Sequence, residues 1–125
     1  MQLKSINPKN NININSWDIP PQNEINRIIN NASMAQLDWG PLKLDSKLRF
    51  IDNLVSILRE KSKELSILMA DEMGKPLSQG KIEIEKCVWL CNYYNQNAIK
   101  ILSDKNVETG YYKSYISFQP IGLVL

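Results

Sequence analysis

Two cysteines, Cys87 and Cys91, lie four positions apart, so both thiols share one face if this segment is helical. Thiols at this spacing supply half of a metal site or form a redox pair. The sequence has no histidine and no further cysteine, so a structural zinc site cannot be completed. Free cysteine is also commonly a small, buried apolar residue. We therefore predict that both cysteines are packing residues and that the chain holds no metal.

Gly74 and Lys75 invite comparison with a phosphate-binding loop. That motif requires a glycine at the first position and a serine or threonine after the lysine. Met69 and Pro76 occupy these positions, and no Gly-x-Gly-x-x-Gly pattern occurs elsewhere. The sequence therefore predicts no phosphate loop.

Carboxylates near this turn are the next candidates for chemistry, as a general acid and base: Glu72, Glu83 and Glu85. Lysines lie at distances along the chain that permit local ion pairs: Lys75, Lys81 and Lys86. Surface pairs of this kind contribute a few tenths of a kcal/mol each. We expect ion pairing at helix ends and no catalytic pair.

Tyr111, Tyr112 and Tyr115 have the ring chemistry of a stacking platform for single-stranded nucleic acid. Such a platform needs a basic groove, but 15 basic residues face 13 acidic ones, for a net charge of +2. We therefore predict that these rings pack or contact another subunit, and that the chain binds no nucleic acid.

Composition narrows the function further. The 125 residues include 43% apolar and 22% charged residues, which suits one globular domain or a piece of a larger one. The lack of histidine excludes a Ser-His-Asp or Cys-His nucleophile pair within this chain. No apolar run approaches the roughly 20 residues of a membrane helix, and residues 1–15 contain no apolar core of signal-peptide length. We expect a cytoplasmic location and no membrane contact.

Regular elements must position these side chains. Alternating Ile and Asn residues after a turn at Asn7-Pro8 predict an N-terminal hairpin over residues 3–14, with a frayed tail as the alternative. Apolar residues at helical spacing then predict a short helix near 23–36, which should end before Asp38-Trp39-Gly40-Pro41.

A long helix is predicted near 46–73 because its apolar residues form one stripe: Leu48, Ile51, Leu54, Val55, Leu58, Leu65, Leu68, Met69 and Met73. Asp45 is the expected N-cap, Gly74 suits the left-handed C-terminal position, and Pro76 stops the helix. A second long helix near 78–103 should fold back on it as an antiparallel helical hairpin.

Two strands are predicted after the helices. Alternating residues over 111–119 indicate an exposed-type strand, and the apolar run 121–125 is typical of a strand buried on both faces. A buried parallel strand needs neighbours and a following crossover helix. We therefore expect residues 1–125 to be an incomplete part of a larger domain.

The motif Glu72-Met73-Gly74-Lys75-Pro76, after a long helix with Arg49 in its first turn, resembles the N-terminal region of NAD(P)-dependent aldehyde dehydrogenases. Further positions continue this resemblance in order: Ser5-Ile6-Asn7-Pro8, Glu83, Cys87, Tyr93-Tyr94, Asn97-Ala98 and Pro120 to Leu125. The pattern is most similar to succinate-semialdehyde dehydrogenases.

This resemblance implies an α/β fold, of which the chain would be the helical layer, part of the oligomerisation arm and the first strand of the cofactor domain. It implies oxidation of an aldehyde to the acid with NAD or NADP. The similarity to succinate-semialdehyde dehydrogenases implies that this aldehyde is succinate semialdehyde. In the family, the Pro-Trp-Asn segment, the nucleophilic cysteine, the general-base glutamate and the cofactor-binding residues all come later. No catalytic, cofactor-binding or metal residue is therefore assigned in this sequence.

Two readings follow. In the first, the chain is the N-terminal fragment of such an enzyme, inactive and binding no cofactor alone. In the alternative, it is a stand-alone or split-enzyme interaction module. In either case the strand 111–119 would pair with another copy or with a catalytic partner chain.

Overall fold

A computed structural model describes residues 2–124. Four helices dominate: α1 (Gln22–Trp39), α2 (Leu44–Glu60), α3 (Ser62–Met73) and α4 (Leu77–Leu102). Two antiparallel strand pairs flank them: β1 (Gln2–Ile6) with β2 (Asn13–Asp18), and β3 (Lys105–Asn106) with β4 (Tyr115–Ile116). The predicted mostly helical chain with an N-terminal hairpin is confirmed.

The N-terminal hairpin pairs Gln2 with Asp18 and Ile6 with Asn13, with an irregularity in register after Ser5. Asn11 adopts a left-handed φ of 58° in the turn, a conformation that asparagine tolerates better than most residues. The second strand continues four residues beyond the predicted end at residue 14. The frayed tail is therefore wrong.

Helix α1 extends to Trp39, so its predicted end at residue 36 was too early. Asp38 and Trp39 do not interrupt helical hydrogen bonding; the stop comes at Gly40, whose N–H still donates to the Gln36 carbonyl, followed by Pro41. The Trp39 ring then meets Phe50 of α2 edge-on, with ring centroids 5.2 Å apart.

The single helix predicted near 46–73 is two helices, because α2 ends at Glu60 and α3 begins at Ser62. The sequence signal that was overlooked is the polar run 59–64, which interrupts the apolar stripe. Just past the break, the buried Ser66 hydroxyl donates to the Ser62 carbonyl at 2.6 Å. Hydrogen bonds of this kind bend helices.

The N-terminal end of this helical region was predicted wrongly, and its C-terminal end was predicted correctly. Lys43 is the N-cap of α2 and makes no side-chain cap, so the assignment of Asp45 as N-cap was wrong. Because the helix starts two residues earlier than expected, Asp45 lies in its first turn, where its charge still favours the positive helix end. Gly74 ends α3 with φ 71°, as predicted.

The core lies where α4 crosses α2 and α3. Its buried apolar side chains are Val55, Ile84, Val88 and Ala98. At the closest approach, a Cβ on Gly80 would lie 3.2 Å from the Ser66 Cα. Glycine at this position allows α3 and α4 to come within direct backbone contact. The helix predicted near 78–103 is thus confirmed, together with its packing as a helical hairpin.

The C-terminal segment, residues 103–124, differs most from expectation. In place of a strand over 111–119, only Tyr115–Ile116 is a strand, paired with Lys105–Asn106. Residues 121–124 form no strand, and Ile121 is 90% exposed; Leu125 of that prediction lies outside the described residues. Strands need neighbours, and the described part of the chain provides none beyond β3.

The chain has an unusually large accessible surface of 10,486 Å². A self-contained folded protein of 14.4 kDa exposes about 6,800 Å² by the usual scaling of surface with mass. Roughly a third of the observed accessible surface is therefore in excess of the area expected for a protein of this mass that folds alone.

Candidate functional site

The turn between α3 and α4 carries the Glu-Met-Gly-Lys-Pro sequence and is the most constrained surface region. Gly74 supplies the left-handed residue, and Pro76 precedes the first helical residue of α4, where a missing N–H costs nothing. The conformations of these two residues reverse the chain direction within three residues. The turn thereby places the side chains of Glu72 and Lys75 at the end of α3.

The N-terminal hairpin is docked onto this turn. The Ser5 hydroxyl donates to Glu72 Oε1 at 2.8 Å, and the Asn7 amide donates to Asp71 Oδ1 at 3.3 Å. A Cβ on Gly74 would lie 3.5 Å from Pro8 Cγ. Ser5 and Pro8 belong to one of the segments that carry the family resemblance and Glu72 and Gly74 belong to another, so two distant motifs meet in space. Glu72 therefore accepts a hydrogen bond from the docked hairpin.

Lys75 forms an ion pair with Glu83 across the turn. The pair lies beside an open cleft of about 420 Å³ whose lining is Lys75, Gln79, Ile82, Glu83 and Lys86. The predicted local ion pairing is thereby confirmed for Glu83. The Lys75 charge is neutralised locally, which removes the strongest argument for an anion site in this cleft.

The cysteines depart from their predicted role. Both are free, but Cys87 is exposed and Cys91 is half-buried. The interpretation that both are small buried apolar residues is wrong for Cys87. Ile84 and Val88 are buried, whereas Cys87 lies about 60° and 100° around α4 from them and is exposed.

The tyrosines also remain open. Tyr111 is 84% exposed, Tyr112 is fully exposed and Tyr115 is half exposed. Packing within the chain, one of the two predicted roles, is therefore wrong for Tyr111 and Tyr112. Contact with another subunit stays a prediction.

One polar contact was missed by the sequence reasoning. The Asn95 side-chain amide donates to Asp52 Oδ1 and so links α4 to α2, while its own Oδ1 is buried without a partner. A signal was present, since Asn95 continues the buried face of Val88, Cys91 and Ala98 at helical spacing. A polar residue on that face requires a partner across the helix interface.

Within residues 2–124, no group of three or more metal-ligating side chains comes together. None of the helices there is long and apolar enough to cross a membrane. The contacts described above dock the hairpin, cap α3 and pack the helices. The absence of catalytic and cofactor-binding residues from this chain stays a prediction.

Comparison with known proteins adds the wider context. The sequence model of the aldehyde dehydrogenase family matches residues 1–125. A probable NADP-dependent succinate-semialdehyde dehydrogenase of Synechocystis is 28% identical over the whole chain, which covers 28% of that protein. A succinate-semialdehyde dehydrogenase of Mycobacterium avium is likewise 28% identical, with the whole chain covering 27% of its length.

Solved structures share the fold. Succinic semialdehyde dehydrogenase from Streptococcus pyogenes, determined with NADP+, superposes with a TM-score of 0.83 at 20% identity over 90% of this chain and 25% of its own. Lactaldehyde dehydrogenase from Escherichia coli gives 0.78 at 18% identity over 89% of this chain and 23% of its own. The chain thus spans about a quarter of the length of the proteins it matches.

Proposed function

The chain belongs to the aldehyde dehydrogenase family, and from this premise we propose that it is the N-terminal region of an NADP-dependent succinate-semialdehyde dehydrogenase. Relatives bearing that name match it along its whole length. We place the catalytic and cofactor-binding residues in the part of the enzyme that lies beyond this matched quarter. The role of residues 1–125 is then structural: they supply surfaces against which the rest of the enzyme folds.

The observation that carries this proposal is the excess of accessible surface. The chain exposes 10,486 Å² against about 6,800 Å² for a self-contained protein of its mass. A stable interface between two proteins needs about 800 Å² on each partner. The excess is several times larger, which is the scale of an interior surface of one domain and not of a transient contact.

Large apolar side chains supply much of this surface. Trp89 is 67% exposed on α4 and stacks only on its neighbour Tyr93, while Ile121 is 90% and Val124 is 70% exposed. Side chains of this size each gain roughly 1.5–3 kcal/mol from full burial. We assign them to contacts with the remainder of the enzyme.

The C-terminal segment has a separate place in the proposal. Residues 111–119 would belong to the oligomerisation arm and residues 121–125 to the first strand of the cofactor domain. The strand pair β3–β4 is only two residues long, and its Tyr115 and Ile116 side chains are about half exposed. Such a short pair is unstable alone and would lengthen on pairing with further strands. A homo-oligomer follows as the expected assembly.

A nicotinamide cofactor does not fit the described residues of this chain. Lys75, in the glycine-containing turn that opens α4, is paired with Glu83. The residue ahead of α4 is Pro76, which has no N–H to offer a phosphate. We therefore propose that NAD or NADP binds to the remainder and that this chain alone carries out no oxidation. We place the enzyme in the cytoplasm.

A complementation experiment tests the proposal. The chain is co-expressed with the C-terminal three quarters of the Synechocystis relative, and the purified material is assayed for NADPH formation from succinate semialdehyde. The control uses that relative's own N-terminal quarter with the same remainder. We expect the chain to co-purify and support turnover, and to be inactive by itself.

The outcome also separates the alternative, an independent interaction module. If the control pair assembles and this chain stays unbound, soluble and cooperatively folded, the proposal is wrong and the module reading replaces it. Turnover by the chain alone contradicts both readings.

A further inference from the structure

The pair Cys87 and Cys91 remains unused by the proposed function. Both residues lie within α4, one helical turn apart, and neither forms a disulfide. Residues at this spacing have Cβ atoms about 5–6 Å apart. Helical side chains lean toward the N-terminus, so the Cys91 thiol is directed over the turn that holds Cys87.

The geometry suits a two-coordinate ion. A two-coordinate ion needs two thiolates a few ångströms apart, a separation close to the Cβ spacing of about 5–6 Å one helical turn apart. Within residues 2–124, no third and fourth ligand joins the pair. This excludes a four-coordinate zinc site and leaves soft ions that are satisfied by two thiolates.

We propose that Cys87 and Cys91 form a binding site for a soft monovalent cation of the Cu(I) type. Binding replaces two S–H bonds by two S–Cu bonds and releases two protons, with no change of oxidation state at sulfur or copper. Cys87 is exposed, so the ion can enter from solvent, and half-buried Cys91 anchors it at the edge of the core.

The thiol pair lies on a different side of α4 from Trp89. Trp89 lies about 200° around α4 from Cys87, since each residue advances the helix by about 100°. Loading the thiol pair therefore leaves the Trp89 and Tyr93 face untouched.

Competition for copper tests the site. Reduced chain is titrated into Cu(I) held by a coloured chelator, and the loss of colour reports transfer of copper. We expect one Cu(I) per chain, with Cys87→Ser and Cys91→Ser each weakening binding at least 100-fold. Zn(II) in the matching assay should bind far more weakly.

The matched control keeps two thiols and changes only their spacing. In the double variant Cys91→Ser with Asn92→Cys, the second thiol lies about 140° around the helix from Cys87. We expect this variant to bind no better than Cys91→Ser. Copper left with the chelator by the wild-type chain, equal binding by the respaced variant, or equal binding of zinc overturns the proposal.

Discussion

The helical unit formed by α2, α3 and α4 and the C-terminal segment, residues 103–124, contrast sharply in burial. Ile84 in the helical unit is 2% exposed, whereas Ile121 in the segment is 90% exposed. Both regions are rich in apolar side chains. The difference is that α4 finds partners within the chain and residues 111–124 find almost none.

The contrast shows which parts of the chain satisfy their backbone hydrogen bonds without a partner from elsewhere. Helical hydrogen bonds are local, so α4 satisfies its backbone without help from other elements. A strand satisfies its backbone only through a neighbour, and the neighbours of residues 115–116 amount to two residues of β3. The helices therefore form within the chain, whereas the strand at residues 115–116 has only β3 as a neighbour among the described residues.

The largest expected effect compares two identical substitutions, Ile84→Ala and Ile121→Ala. The first removes a fully buried side chain and should lower the free energy of unfolding by about 2–5 kcal/mol. The second removes a side chain that contacts little, so the change should stay within about 0.5 kcal/mol. Urea denaturation followed by circular dichroism of the helices measures both. Equal losses would erase the contrast.

Two glycines give the next effect. A Cβ on Gly80 meets Ser66 Cα and Cβ at 3.2 Å, and a Cβ on Gly110 meets nothing within 4 Å. Gly80→Val should therefore cost about 1–3 kcal/mol by forcing α3 and α4 apart. Gly110→Val serves as the control and should leave helix unfolding unchanged. A neutral Gly80→Val would show that the helix contact is looser than described.

The smallest effect concerns the ion pair at the α3–α4 turn. Glu83→Gln removes the half-exposed carboxylate that pairs with Lys75. It should lower the free energy of unfolding by at most about 1 kcal/mol. The loss should shrink in high salt, because screening already weakens the pair in the parent chain. Glu85→Gln on the same helix is the control. A loss comparable to that of Ile84→Ala would mean that charge, not packing, holds the turn.

Local signals made most of the helical unit predictable. The stop at Gly74 and Pro76 and the apolar period of α4 depend on neighbours in sequence, and both were confirmed. The break at Lys61 was also visible in the polar run 59–64, but the flanking stripe obscured it. The strand predicted over 111–119 was too long, since the length of a strand depends on its neighbours and the described residues offer it only β3.

The contacts at the turn were predictable only in part. Pairing of Lys75 with Glu83 follows from closeness in sequence. Docking of Ser5 and Asn7 on Glu72 and Asp71 spans more than sixty positions, and polar side chains carry no periodic signal for such a distance. The exposure of Cys87 was missed because helical spacing shows which residues share one face of a helix. It does not show which faces the neighbouring helices cover.

Hydrogen exchange tests the central claim most directly. Amide exchange over residues 111–124 and over α4 is followed by mass spectrometry, in the chain alone and in its complex with the remainder of the Synechocystis relative. We predict protection of α4 in both states, and protection of residues 111–124 only in the complex. Protection of residues 111–124 in the isolated chain, or its absence in an active complex, would contradict the account.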